Sequence, residues 1–257
     1  MLNLNKQNKQ FNLTTATYNE TKGFKYDYAV LPWGSTEPHN FHLPYLTDSY
    51  ITHDLALEAV AKVYEQSNIK GMVLPPMNMG SQSPMMRELP FSIHTRYETQ
   101  KAILKDIVAS LDFQGIEVLV ILNGHGGNNF KNMIRDLAVD YPDFILVSCD
   151  WYSILSNGEI TDARGEIHSG EMETSIMMYY HPDLVDISVA KEIVHKNNKR
   201  RMLQEGLPWL PSEPKSNITA EFSNPHNATE EKGKGYVEAV TEKLVTLFTE
   251  LSGIDNF

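Results

Sequence analysis

The chain has 257 residues, 41% of them hydrophobic, and its 22 basic against 33 acidic side chains give a formal charge of −11. That surplus of acid would repel a polyanion, which excludes nucleic acid as a partner. One cysteine, Cys149, excludes an intrachain disulfide and fits a reducing compartment.

The start, MLNLNKQNKQFNL, is polar and lacks the apolar core of a signal peptide. No stretch approaches the roughly 18 apolar residues of a membrane span, so the expectation is a soluble, cytoplasmic protein. Residues 1–25 read as a polar lead-in with one short helix. Residues 28–32 form an apolar run closed by Pro32, which predicts a buried strand.

Behind that strand, LPWGSTEPHNFHLPYLTD (residues 31–48) places Glu37, His39, His42 and Asp48 within a dozen positions. Two imidazoles and two carboxylates beyond a strand end suit a divalent ion. Nitrogen and oxygen donors in this mix favour zinc, manganese or iron over calcium. In extended backbone residues two apart point the same way, so Glu37 and His39 can face one ion, and Pro38 disfavours a helix there. The competing reading is a polar surface loop that happens to hold two histidines.

Residues 48–64 carry Ile51, Leu55, Ala59 and Val63 at helical spacing, with Thr47 or Asp48 expected as the cap. Residues 72–74 predict a second strand, stopped by Pro75 and Pro76. Residues 77–95 predict a long irregular loop, either functional or merely superficial. A helix is expected over 97–111, a strand over 118–122, a turn at NGHGGN (123–128), a helix over 129–139 and a strand over 144–148. Trp151 and Tyr152, just past that strand, either line a pocket or pack into the core. Residues 195–227 are polar and Pro-rich, so they predict loops or an arm, and the basic run 195–201 reads as a solvated helix end. A final amphipathic helix is expected over 232–251. Alternating strands and helices imply an α/β fold of three layers, a mainly parallel sheet with helices on both faces.

Sites in such sheets form beyond the carboxyl ends of the strands. NGHGGN falls there, and its glycines let His125 project from a sharp turn. As a phosphate cradle the motif is weak, since it lacks the Lys-Ser/Thr ending of a P-loop. HSGEMETS (168–175) falls there too, with His168 in a loop and Glu173 one turn into the next helix. Glu166 and Glu171 compete with Glu173, or simply form a solvated acidic helix start.

GSTEPHNFHLPYLTD at 34–48, NGHGGN at 123–128, HSGEMETS at 168–175 and SNPHNATEEKG at 223–233 together resemble the creatininase (creatinine amidohydrolase) family. The resemblance implies a single metallohydrolase domain over 1–257, a mainly parallel α/β sheet and assembly as a homohexamer. It further implies two divalent ions per subunit, zinc first and manganese or iron next, sharing one bridging aspartate. By position Asp48 is similar to that bridge, Glu37 and His125 to the partners of one ion, and His39 to a partner of the other. Creatininase itself has a glutamate two residues after the NGH histidine as a ligand of the second ion; here that position is Gly127. Either Glu173 fills the gap or the second ion is weakly held, and the departure counts against creatinine as substrate.

The activity so implied is metal-dependent hydrolysis of a carbon–nitrogen bond in a small cyclic or formylated amide. Two ions would take a shared water from a pKa of about 16 to roughly 7. His168 would pass the proton to the leaving nitrogen, or would serve only as a cap or support. His42 is expected to be structural. Two other readings stay open, a peptide-clipping amidohydrolase and a non-catalytic member of the fold that binds a metal or ligand.

Overall fold

A computed structural model describes residues 9–84, 86–155, 168–191 and 224–253. Glu166, the basic run 195–201 and most of the 195–227 arm lie outside the described residues. After a single helical turn at Tyr18–Thr21 come β1 (Tyr28–Trp33), α1 (Thr47–Ser67), β2 (Gly71–Val73) and α2 (Tyr97–Phe113). They are followed by β3 (Val118–Asn123), α3 (Lys131–Asp140), β4 (Ile145–Asp150), α4 (Glu171–Tyr180) and α5 (Glu230–Ser252).

The four strands form one parallel sheet in the order β2-β1-β3-β4. β1 and β3 are buried at every position, which is why both read as continuous apolar runs and not as alternating ones. Successive side chains go to opposite faces. Tyr28, Val30, Val120 and Leu122 meet Ile51 and Leu55 of α1, Ile176 of α4 and Val240 and Phe248 of α5. Ala29, Leu31, Leu119 and Ile121 meet Leu104 and Val108 of α2 and Met133 and Leu137 of α3. Each fully buried Leu or Ile contributes about 1.5–3 kcal/mol. The result is the expected α/β arrangement, a parallel sheet between two layers of helix. Among the described residues no helix is long and apolar enough to cross a membrane.

Three local expectations need correction. β1 continues through Pro32 to Trp33 instead of stopping at the proline. The Pro32 carbonyl faces the β2 side, where it accepts from Met77 N, and β2 has already ended at Val73. The missing N–H therefore removes no ladder bond. Neither Thr47 nor Asp48 caps α1: Leu46 holds the cap position without a side-chain bond, and Thr47 Oγ1 donates to Pro44 O. Asp48 is turned away from its own helix end because its carboxylate is engaged elsewhere. Glu173 sits in the first turn of α4, not one turn in, because that helix opens at Glu171.

The loop 77–95 is folded back on the sheet edge. Trp33 Nε1 donates to Met79 O, Thr95 N donates to Gly80 O, and Thr36 bridges Ile93. It thereby covers the carboxyl end of β1. The strand order reverses between β1 and β3, so the crevice beyond their carboxyl ends is a topological switch point, where α/β sheets hold their ligands.

Candidate metal centre

Beyond Trp33 the chain turns at Gly34. A Cβ there would stand 2.5 Å from Ser49 Oγ and 2.6 Å from Ser49 N, so only glycine lets this loop lie against the start of α1. The backbone then runs out past Glu37 and folds back through the bridge between His39 and Leu43. Glu37, His39 and Asp48 are brought together in this way, all buried. β3 delivers His125 from the adjacent strand end, and α4 delivers Glu173 from its first turn.

Asp48 is the centre of the arrangement. Its Oδ1 lies 2.9 Å from His39 Nε2, and its Oδ2 lies 3.3 Å from His125 Nδ1. His125 Nδ1 is also 2.9 Å from Glu37 Oε1. Asp48 Oδ2 is buried and, despite its nearness to His125, has no hydrogen bond among the described residues. An orphaned carboxylate oxygen in the interior is costly unless a cation meets it.

The histidines are prepared for that cation. Each spends one ring nitrogen on a backbone carbonyl: His39 Nδ1 on Glu37 O at 3.0 Å, His125 Nε2 on Ser81 O at 2.9 Å, His168 Nε2 on Pro38 O at 3.0 Å. A ring that donates one N–H to a carbonyl presents the lone pair of its other nitrogen, the arrangement that orients imidazole ligands. In all three rings the remaining nitrogen faces carboxylates.

Electrostatics agree. Burial pushes the Asp48 carboxyl up, but the imidazoles of His39 and His125 outweigh it and hold it far below the usual range. Burial pushes His39 down, yet the Asp48 carboxylate, helped by Glu173 and Glu37, raises it to about 10. His125 is raised well above its ordinary value against burial, chiefly by Glu37 and Asp48. Glu173 is raised to about 7 by burial, with Asp48 and Glu37 adding to the effect. Without a metal ion the site is a set of crowded carboxylates drawing protons onto neighbouring imidazoles, and divalent ions would take the place of those protons.

Two groups of three donors share Asp48. Glu37, Asp48 and His125 have donor atoms within 4.8 Å of one another, and so do His39, Asp48 and Glu173. A third group, Glu37 with His39 and His168, meets the same distance. It is the weaker candidate, because His168 Nδ1 stands 3.7 Å from Glu37 Oε1 and its side chain keeps 25% exposure. The His168 ring instead lies over that of His39, 4.4 Å between centroids. The carboxylate of Glu173 is oriented by Ser169 N at 2.5 Å, donated from a residue in the left-handed region, φ 52.

The remaining predicted residues fall outside these groups. His42 is buried and pairs Nε2 with Thr174 Oγ1 at 2.8 Å, bracing α4 beside Glu173. Glu171 turns towards α5, to Tyr236 Oη and Lys232 Nζ. Trp151 is buried in the core. The turn at 123–128 is not the first turn of a helix, since α3 opens only at Lys131, which removes the geometry a phosphate cradle needs.

Sequence reasoning missed what fills the space beside Gly127. A Cβ at 127 would collide with Ser81 O and stand 2.5 Å from His125 Nε2. The carbonyl that orients His125 thus occupies the room a larger residue would need. Ser81 N is held in turn by Asn128 Oδ1 at 3.0 Å, and Asn123 Oδ1 accepts from His125 N and from Asn128 Nδ2. Gly80 packs on the same ring, with a Cβ there only 2.8 Å from His125 Cδ2. A backbone carbonyl leaves no mark in sequence; the two asparagines flanking the turn were the available signal.

Comparison with known proteins places this geometry. The family model described as creatinine amidohydrolase, Creatininase, matches residues 12–248. A crystal structure from Bacteroides fragilis NCTC 9343, provisionally assigned as a creatinine amidohydrolase, is similar at 46% identity and TM-score 0.91, covering 96% of this chain and 98% of that one. A manganese creatininase structure has the same fold at 20% identity and TM-score 0.73, covering 95% of this chain and 99% of its own. A mycofactocin precursor peptide peptidase from Mycobacterium ulcerans (strain Agy99) is 27% identical over 161 residues. That match spans 61% of this chain and 59% of the relative, so the chain matches about three fifths of this curated relative's length. With the family model spanning both strand-end loops, α4 and most of α5, the chain belongs to the creatininase family.

Proposed function

We propose that the chain is a metal-dependent amidohydrolase holding two divalent ions, zinc in the first instance, within one unit that spans residues 1–257. Glu37, His125 and Asp48 would hold one ion, and His39, Glu173 and Asp48 the other. The observation that carries this reading is the buried Asp48 carboxylate, whose two oxygens face two different imidazoles while Oδ2 lacks a hydrogen bond. The mixed imidazole and carboxylate donors suit zinc, and manganese is the next choice. Ions held there would polarise an amide carbonyl and acidify water to a pKa of roughly 7.

The chain's own groups would do the rest. His168 keeps its Nε2 proton on Pro38 O and turns Nδ1 towards Glu37. It is the most exposed of the three imidazoles, so Nδ1 can take a proton from water and hand it to the leaving nitrogen. The loop 77–95, through Gly80 and the Ser81 carbonyl, packs against the His125 ring and holds it in place.

The substrate class that fits is a small cyclic or formylated amide. The Ser81 carbonyl beside Gly127 argues against a creatininase-like second ligand there, and so against creatinine itself. Peptide clipping is the second reading, favoured by the mycobacterial peptide peptidase among the relatives. A homohexamer accompanies either activity by family resemblance. The deciding experiment is an assay of the zinc-loaded chain on formamides, cyclic amides and short peptides, with metal content measured in parallel. Two ions and turnover of one class support the enzyme; one ion or none, with no turnover, supports a binding protein.

A further inference from the structure

We infer that the Tyr152 hydroxyl is a substrate-contacting donor at the mouth of this site, aimed at the oxygen of the bound amide, and that Gly126 is the gap that exposes it. The inference rests on the site reading above and names a residue that the two donor groups do not include.

The placement follows from the sheet. β3 and β4 are in register at Asn123 and Asp150, and Asn123 Nδ2 donates to Asp150 Oδ1 at 2.7 Å. The two chains leave the sheet side by side, so Tyr152 stands as far beyond β4 as His125 stands beyond β3. Trp151 is buried and anchors the segment, its ring 5.9 Å from that of Tyr152 and edge-on to it. The Tyr152 ring packs against the core beneath α1 and α5. Its polar end is the part left over, the usual disposition of a half-buried tyrosine.

Among the described residues the Tyr152 hydroxyl makes no hydrogen bond. Among the same residues a Cβ placed on Gly126 would find it at 3.9 Å and nothing else within 4 Å, so none of them fills the space above Gly126 on its other sides. Burial, with the carboxylates of Asp150, Asp48 and Glu173, raises the phenol above its ordinary range. The group therefore stays protonated and has an O–H to offer an approaching oxygen. Its 3.9 Å approach to the Cβ position of Gly126, the residue after His125, puts the hydroxyl on the site's side of the ring.

The test uses the full chain loaded with zinc and acetohydroxamate as the probe, a small amide analogue with a negatively charged oxygen. Tyr152→Phe is expected to weaken acetohydroxamate binding by about tenfold to a hundredfold, the range for a hydrogen bond to a charged group. Zinc content and thermal midpoint should stay at wild-type values. Gly126→Val, which keeps the phenol but packs methyls against its hydroxyl and fills the gap, should weaken the probe to a similar degree with zinc retained. If Tyr152→Phe binds the probe as tightly as wild type while zinc is retained, the role of Tyr152 is overturned and the metal reading stands. If the wild-type chain takes up no zinc, the metal reading falls and the inference falls with it.

Discussion

The Ser81 carbonyl accepts the Nε2 proton of His125 at 2.9 Å and occupies the place where a side chain at position 127 would begin. One backbone oxygen thereby sets the ring orientation of a candidate ligand and forbids a second ligand on the next turn of chain. Gly127→Glu tests this directly. Restoring a carboxylate there should not strengthen metal binding. It should destabilise the fold by about 1–3 kcal/mol through overpacking and reduce metal uptake by misplacing His125. Chemical denaturation and elemental analysis of the variant read both effects; a stable variant with undiminished metal would contradict the account.

Glu173 is assigned the place that a residue at 127 cannot take. Glu173→Gln keeps the shape and the bond from Ser169 N while removing the charge. Metal content should fall from two equivalents to about one. Unchanged stoichiometry would return Glu173 to a merely structural role.

His168 is expected to move protons and not to hold metal. His168→Asn should lower kcat by about a hundredfold to ten-thousandfold, the usual span for a general acid or base, with both ions retained. Loss of an ion instead would make the third donor group, Glu37 with His39 and His168, the true one.

Away from the site, Asp54 and His181 tie α1 to the end of α4, with Oδ2 and Nε2 2.6 Å apart. The hydrogen bond to Asp54 raises His181 above its ordinary 6.5. Burial pushes Asp54 up, but His181 and His53 together bring it below 3.8. A raised histidine stabilises fully below about pH 6.5 and loses that contribution as pH rises through its folded value. A lowered aspartate stabilises above about pH 4 and loses it as pH falls. The pair therefore contributes most between those limits. Asp54→Asn should cost about 1 kcal/mol at pH 5.5, a modest figure for a partly solvated pair, and distinctly less at pH 9. Equal losses at both pH values would contradict the ion-pair description.

Much of this molecule is legible in its sequence, and for physical reasons. β1 and β3 carry apolar residues at both parities because both faces of the sheet are covered, so the runs over 28–32 and 118–122 announce themselves. Glu37, His39 and Asp48 are close in sequence and were visible as a cluster. His125 and Glu173 were placed beyond the strand ends by the alternating pattern, but their assignment as ligands came through family resemblance, since a lone histidine in a glycine turn and one glutamate among three carry no spacing signal of their own. The cap of α1 was misread because a carboxylate at a helix start serves a cap or a site equally well by composition, and only the fold shows that Asp48 faces His39. The Ser81 carbonyl and the space above Gly126 that no described residue fills belong to backbone and to absence, which side-chain patterns do not encode.

The central claim is that Asp48 joins two ions. The most direct measurement is metal content per subunit of Asp48→Asn beside wild type, by elemental analysis after equilibration with zinc. Wild type should hold two equivalents and the variant none or a weakly held fraction, because both donor groups lose their shared member. A variant that keeps one tightly bound ion would show that Asp48 serves a single metal, and one that keeps two would contradict the bridged site altogether.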